Sequence, residues 1–362
     1  MNFALADEEK ALAEALAQNL SRVCSTQRIR AWEADQVSFD DAFVSAVAQG
    51  GFLEAGLAGG DCPAFAVLAQ LEEVAGRFLA PPLLTWLSGY AAFLLGDHPL
   101  AKRLTAGEVV APLIPGRTRL SLAGGRLTGE AEGVPFLDRA QQLLVPLPRR
   151  RERLGEDAPP SVVALVRVER RVPSPQPSPT AVGEGVVATL VTTQSLVPHW
   201  RVTFAGAEAE LVPVSAERQA RALDRLRTCV AAWSTGAGSR AIELASAYAC
   251  EREQFGHPIG SYQSVQNRLV DAAIQVEQAR MLVYRAASLI DGGESAAADV
   301  AVLARHHAGK AFAQASRAAL QTFGGYGFTV DFDAQLYFRR AKEAQLSFEP
   351  RPAWQIPPSF RS

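Results

Sequence analysis

The 362 residues carry 36 Lys and Arg against 38 Asp and Glu, a formal net charge of −2, with 48% hydrophobic residues. That length allows two or three structural units at the usual ~100–200 residues each. Near-neutrality argues against nucleic acid or an anionic membrane as the main partner, because both select a basic footprint.

Taken in chain order, the N-terminus (MNFALADEEKALAEAL) has early acids and no basic region ahead of an apolar core, so no signal peptide is expected. No apolar stretch is long and clean enough to span a bilayer, and a soluble cytoplasmic protein is expected. From Asp7 to about Leu95 the apolar residues recur at three and four, as in Leu12, Ala15, Leu16 and Leu20, and again in Leu68, Leu71, Val74 and Phe78. This is helical periodicity, punctuated by Gly50-Gly51, Gly59-Gly60 and Pro81-Pro82. It predicts a helical unit over 1–108.

Over 109–214 the pattern changes to short β-branched or Leu-rich runs (Gln142–Leu147, Ser161–Val168, Gly185–Val191, Trp200–Phe204) between Gly, Pro and charge clusters, which predicts strands and turns. The Arg-dense Pro148–Glu156 and the Pro- and Ser-rich Val172–Glu184 read as solvated loops. Over 215–362 helical periodicity returns. Val265, Leu269, Ala272, Val276, Ala279, Val283, Ala286 and Ile290 form one stripe, and Ser261 sits where an N-cap belongs. With similar runs over Leu223–Tyr248 and Ala296–Thr322, long amphipathic helices on short loops predict an antiparallel bundle and a subunit interface. The four cysteines (Cys24, Cys62, Cys229, Cys250) form no CxxC, and neither they nor the adjoining His306 and His307 suggest a metal site.

Three stretches carry more. Tyr248–Gln263 (YACEREQFGHPIGSYQ), Gln321–Thr329 (QTFGGYGFT) and Tyr337–Lys342 (YFRRAK) resemble, in order and spacing, the R-x-Q-F-G-x-P-I-x-x-F-Q, Q-x-x-G-G-x-G-x-T and Y-x-R-D-A-R/K segments of acyl-CoA dehydrogenases. The resemblance implies an α+β multidomain fold: an N-terminal helical domain, a middle β-barrel-like domain and a C-terminal four-helix bundle. It also implies FAD as cofactor and an acyl-CoA as substrate. A guanidinium suits a pyrophosphate because it makes paired, charge-assisted hydrogen bonds. By resemblance that role falls to Arg252, reaching the flavin cofactor of a neighbouring subunit. Phe255 would pack on the cofactor, Gln263 would add hydrogen bonds, and Gln321 and Gly325 would line its adenosine-diphosphate end. Leu223–Arg227 is similar to a family segment facing the acyl-CoA, which makes Asp224 and Arg227 candidate substrate contacts. An intrahelical ion pair is the other reading of that pair.

Elsewhere the chain departs from the family pattern. The family removes the α-proton of an acyl-CoA thioester with a carboxylate while the β-hydrogen leaves as hydride to the flavin, so the base must accept a proton within hydrogen-bond reach. The usual glutamate position falls on Phe348, with Glu349 one residue late, and the alternative base position falls on Leu226. The family's C-x-T-E-P-x-A-G-S-D loop is replaced by a shortened connection at Val110–Gly116. Its W-I-T pattern becomes Gly133 to Pro135, which removes an aromatic surface, a hydroxyl and a backbone donor from the flavin ring. The losses surround a chain's own ring and base, and the retained residues are those lent to a neighbour. Leu71–Pro82 also resembles non-catalytic subunits of heteromeric members. The leading expectation is therefore a subunit that completes a homologous partner's FAD site. The alternatives are a self-sufficient homomeric dehydrogenase using Glu349 or another base, and a non-enzymatic acyl-CoA-binding or scaffold protein.

Overall fold

The computed structural model describes residues 7–57, 64–113, 118–147, 161–168 and 178–346. Its first part is helical: α1 (Asp7–Val23), α2 (Thr26–Ala34), α3 (Asp41–Gln49), α4 (Ala64–Arg77), a π-helix (Thr85–Ala92) continued by α5 (Phe93–Leu95), and α6 (Pro99–Thr105). Local chemistry sets these boundaries. Ser25 accepts from the Arg28 amide at the start of α2, and Asp40 from the Phe43 amide at the start of α3, satisfying first-turn donors that a helix leaves without partners. The N-terminus of α4 is capped from afar, because Asp291 accepts from the amides of Phe65 and Ala66 at 3.1 and 3.0 Å.

Nine strands follow: β1 (Val110–Pro112), β2 (Thr118–Ala123), β3 (Arg126–Val134), β4 (Gln142–Leu147), β5 (Val162–Arg167), β6 (Thr180–Gly183), β7 (Val186–Val191), β8 (His199–Glu208) and β9 (Glu210–Pro213). They form two sheets, ordered β1-β4-β5-β9 and β2-β3-β8-β7-β6. Leu127, Trp200 and Phe204 from one sheet share a core with Val145, Val162 and Ala164 from the other. Two sequence expectations are corrected here. Val110–Pro112 is not merely a shortened connection but strand β1, paired parallel with β4. Thr180–Gly183, inside the stretch read as a solvated loop, is strand β6. Within β3, Gly129 has φ +120° and a Cβ would meet the Arg119 carbonyl oxygen at 1.9 Å.

The remainder is a bundle of α7 (Ala216–Glu251), α8 (Gln263–Asp291), α9 (Ala297–Phe323) and α10 (Ala334–Leu346), with a small hairpin of β10 (Glu253–Gln254) and β11 (His257–Pro258) between the first two. The predicted apolar stripe of α8 faces the core, with Leu269, Ala272, Val276, Ala279 and Val283 buried. Ser261 is not its N-cap. The helix starts after Tyr262 without a side-chain cap, because Ser261 closes a preceding 3₁₀ turn and donates to the Pro258 carbonyl oxygen at 2.7 Å. From Ala222 to Gly238 α7 is buried on nearly all sides, as a helix at the centre of a protein must be. None of the described helices is long and apolar enough to cross a membrane.

The first helical part docks on the bundle where α4 crosses α7, and two glycines make the crossing. A Cβ on Gly76 would stand 1.9 Å from the Trp233 carbonyl oxygen, and one on Gly236 would stand 1.8 Å from that of Glu73. Beside it, Arg280 and Tyr284 of α8 reach Glu73 at 2.7 and 2.9 Å.

One residue further into α4, Glu72 is fully buried. Its Oε1 accepts from the Thr85 hydroxyl at 2.5 Å, and its Oε2 has no partner among the described residues. Burial pushes its carboxyl up to about 8, with the Thr85 hydrogen bond opposing. An acid raised on folding favours the native state most below its unfolded value of ~4.3, and that advantage is lost as pH rises towards the folded value. The urea midpoint should therefore fall between about pH 5 and pH 8. Glu72→Gln, which stays neutral and keeps the Thr85 contact, should flatten that decline. A parent and variant with parallel pH profiles would show that Glu72 is not the group responsible.

Candidate cofactor and substrate surfaces

The candidate residues fall into two groups, and α7 separates them. Asp224 and Arg227 lie in its third and fourth turns, whereas Arg252 is the residue that caps its C-terminus. Twenty-eight residues at ~1.5 Å rise put these ends ~42 Å apart. Within one chain they cannot serve the same reacting centre.

At the near end Arg227 Nη1 meets Asp224 Oδ1 at 2.8 Å, with both side chains largely buried, so the intrahelical ion pair is present. Leu226, between them, packs in the core and offers no base. At the far end the chain leaves α7 through the β10–β11 hairpin. Its two-residue turn, Phe255-Gly256, has both φ values positive (55° and 83°), the geometry of a type I′ turn. A phenylalanine is strained there, at a cost of about 1–3 kcal/mol, and this one is 93% exposed. Gln263 and Gln321 are also exposed. Gly325 sits in the 3₁₀ turn Gly324–Phe328, where a Cβ would meet nothing within 4 Å. Nothing within the chain requires glycine at 325.

The far-end residues are held together by aromatic packing. Tyr248 of α7 stacks on Phe323 of α9 with centroids 4.3 Å apart, Phe323 meets Phe332, and Phe332 meets Tyr326 at 5.8 Å. The Arg252 guanidinium lies 5.8 Å from the Tyr326 ring centroid and makes no ion pair among the described residues. Phe328 and Val330 add exposed apolar surface. The structure thus brings Arg252 to the GGYGF turn flanked by Gln321 and Gly325, with Phe255 and Gln263 on the adjoining hairpin and helix start. Glu349 and Phe348 lie outside the described residues.

A separate cavity opens beside the middle of α7. Its wall includes Trp32, Trp86, Trp233, Gly133, Pro135 and Pro198, with Glu33, His199, Arg340 and Glu343 at a polar edge. Three wall residues, Leu79, Phe136 and Leu196, have left-handed backbones. The free space within it is ≈ 70 Å³, small beside the roughly 300–1,000 Å³ of ordinary ligand clefts. The polar groups are already engaged. Glu33 accepts from Arg339 and Arg340 at 2.8 and 2.7 Å, and both arginines also donate to the Ser195 carbonyl oxygen. Thr85 donates to Glu72, and Ser38 to Asp138. His199 Nδ1 faces the Val197 carbonyl oxygen at 3.1 Å. At ≈ 70 Å³ of free space this cavity does not fit a flavin ring, and Gly133 and Pro135 offer neither the aromatic surface nor the hydroxyl of the family pattern. Neither Asp224 nor Arg227 lines it.

Residues 217–347, essentially the whole bundle, match the family model described as acyl-CoA dehydrogenase, C-terminal domain. The bundle belongs to the acyl-CoA dehydrogenase family. Among curated relatives, the acyl-CoA dehydrogenase IpdE2 of Mycolicibacterium smegmatis is 38% identical over 129 residues, covering 35% of this chain and 40% of that one. An acyl-CoA dehydrogenase of Bacillus subtilis is 38% identical over 120 residues, covering 33% and 31%. These alignments span only a third or so of each relative's length. The fold likeness extends further. The ChsE4–ChsE5 complex of Mycobacterium tuberculosis contains a chain that superposes with a TM-score of 0.80, covering 96% of this chain and 95% of that one at 22% identity. The whole chain therefore has the acyl-CoA dehydrogenase fold.

The sequence did not reveal two features of these surfaces, the Tyr326 ring beside Arg252 and the charged edge of the cavity. A tyrosine between two glycines next to a candidate phosphate ligand was a usable signal for the first. For the second there was none, because Glu33 and its arginines are 306 and 307 residues apart.

Proposed function

We propose that this chain is a subunit of an acyl-CoA dehydrogenase that lends Arg252, Phe255, Gln263, Gln321 and Gly325 to the FAD of a homologous subunit and does not house a flavin ring of its own. One observation carries the reading. The residues suited to the cofactor's phosphate and adenosine end stand exposed ~42 Å along α7 from Asp224, while the chain's own cavity, at ≈ 70 Å³, is too small for a ring. Arg252 would hold the diphosphate by charge-assisted hydrogen bonds, Gly325 would leave the backbone open to close approach, and Phe255 would be covered by the assembly. FAD held there would supply the hydride acceptor for the partner's dehydrogenation of an acyl-CoA. Asp224 and Arg227 remain candidate contacts for an acyl-CoA at the opposite end of the bundle.

Visible spectra of the purified full-length chain, alone and co-purified with a homologous dehydrogenase chain, test this. A colourless chain that joins a yellow, active complex is expected. Stoichiometric FAD retained by the lone chain, with acyl-CoA turnover, would show a self-sufficient homomer instead. A colourless chain that joins no dehydrogenase would indicate a scaffold.

A further inference from the structure

Arg252 stands at the end of a helix with no carboxylate among the described residues to orient it, yet its guanidinium is not left to solvent alone. Tyr326 approaches it at 5.8 Å, inside the ~6 Å at which a ring face attracts a cation. Tyr326 is itself 52% exposed, so little packing is gained by an aromatic there. Its own position is fixed from beneath through Phe332, Phe323 and Tyr248, which ties the turn after α9 to the last turn of α7. On one side of it Gly327 keeps the turn thin: a Cβ there would meet the Leu320 carbonyl oxygen at 3.0 Å.

We propose that Tyr326 is a positioning residue for Arg252, its ring holding the guanidinium in place before a nucleoside diphosphate arrives. An arginine side chain free to rotate loses rotamer entropy when it is fixed. A ring that restricts it beforehand lowers that loss on binding. The neutral ring also leaves the arginine's charge uncompensated for the anion, which a carboxylate partner would not do. The inference rests on the reading that Arg252 meets the cofactor's diphosphate.

The test uses the full-length chain labelled with ¹⁵N, with ADP as the probe, and compares Tyr326→Phe, Tyr326→Leu, Arg252→Ala and the Tyr326→Leu/Arg252→Ala pair. Ring-current-shifted Arg252 side-chain resonances are expected in the parent and in Tyr326→Phe, and should be lost in Tyr326→Leu. ADP affinity should fall about two- to fivefold in Tyr326→Leu, stay near the parent in Tyr326→Phe, and show no further loss from Tyr326→Leu once Arg252 is alanine. Unshifted Arg252 resonances in the parent, or equal losses from Tyr326→Leu with and without Arg252, overturn the proposal and make Tyr326 merely structural. ADP binding that depends on Arg252 but not on Tyr326 overturns it while leaving the lent-residue reading intact. ADP binding that is absent, or indifferent to Arg252, removes that reading and this inference with it.

Discussion

Glu33→Ala should cost about 3–5 kcal/mol of stability, the range for removing one side of a buried ion pair. Glu33 is a carboxylate that both Arg339 and Arg340 clasp, and its side chain is 7% exposed against 16% and 10% for the arginines. Without it, two guanidiniums share the Ser195 carbonyl oxygen, with Glu343 4.0 Å from Arg340, and that cannot neutralise both. These contacts join α2, α10 and the loop before β8, so the loss should appear first as separation of the helical and β parts. Unfolding in urea, followed at Trp32 and Trp200 separately by fluorescence of single-tryptophan variants, reads this. Glu33→Gln keeps the size and one acceptor and should fall between parent and alanine. A midpoint for Glu33→Ala no lower than that of an ordinary surface substitution, within about 0.5 kcal/mol, would mean that the cluster is solvated and of little weight.

Arg252→Ala in the assembled complex should weaken FAD binding about ten- to a hundredfold, since a charge-assisted hydrogen-bonded pair contributes on the order of 1.5–3 kcal/mol. Glu349→Gln in the same complex should leave turnover nearly unchanged, because the partner's own carboxylate would abstract the α-proton. The two substitutions separate a lent contact from local catalysis. A loss of roughly two to four orders of magnitude in turnover for Glu349→Gln, with FAD still bound, would falsify the non-catalytic reading and make Glu349 a displaced general base.

The helices were legible because their cores are built from local repeats. The stripe from Val265 to Ile290 predicts α8 to within a residue or two of Gln263–Asp291, and the bundle's motifs led to the family that the comparisons support. The β module was read less fully. β4 and β7 are compact apolar runs, whereas β2 alternates with polar residues and β3 carries two glycines, Gly129 and Gly133. β1 is three residues long and exists through its pairing with β4. At the candidate surface, residue identity gave Arg252, Gln321 and Gly325, but their exposure and their distance from Asp224 depend on how α7 runs. The Glu33 cluster depends on three segments far apart in sequence, so no window along the chain could display it.

The paired glycines at the α4–α7 crossing set how the molecule can move. Gly76 and Gly236 place each backbone against a carbonyl of the opposing helix, so neither helix has room to translate past the other by even one residue: the next side chain along would collide. Rotation about the contact point meets no such obstacle. Any rearrangement of the N-terminal helices relative to the bundle, for instance when a partner covers the exposed hairpin or an acyl chain enters near Asp224, must therefore be a swivel pinned at this crossing. The far ends of α4 and α7 would then travel furthest while the crossing itself stayed still.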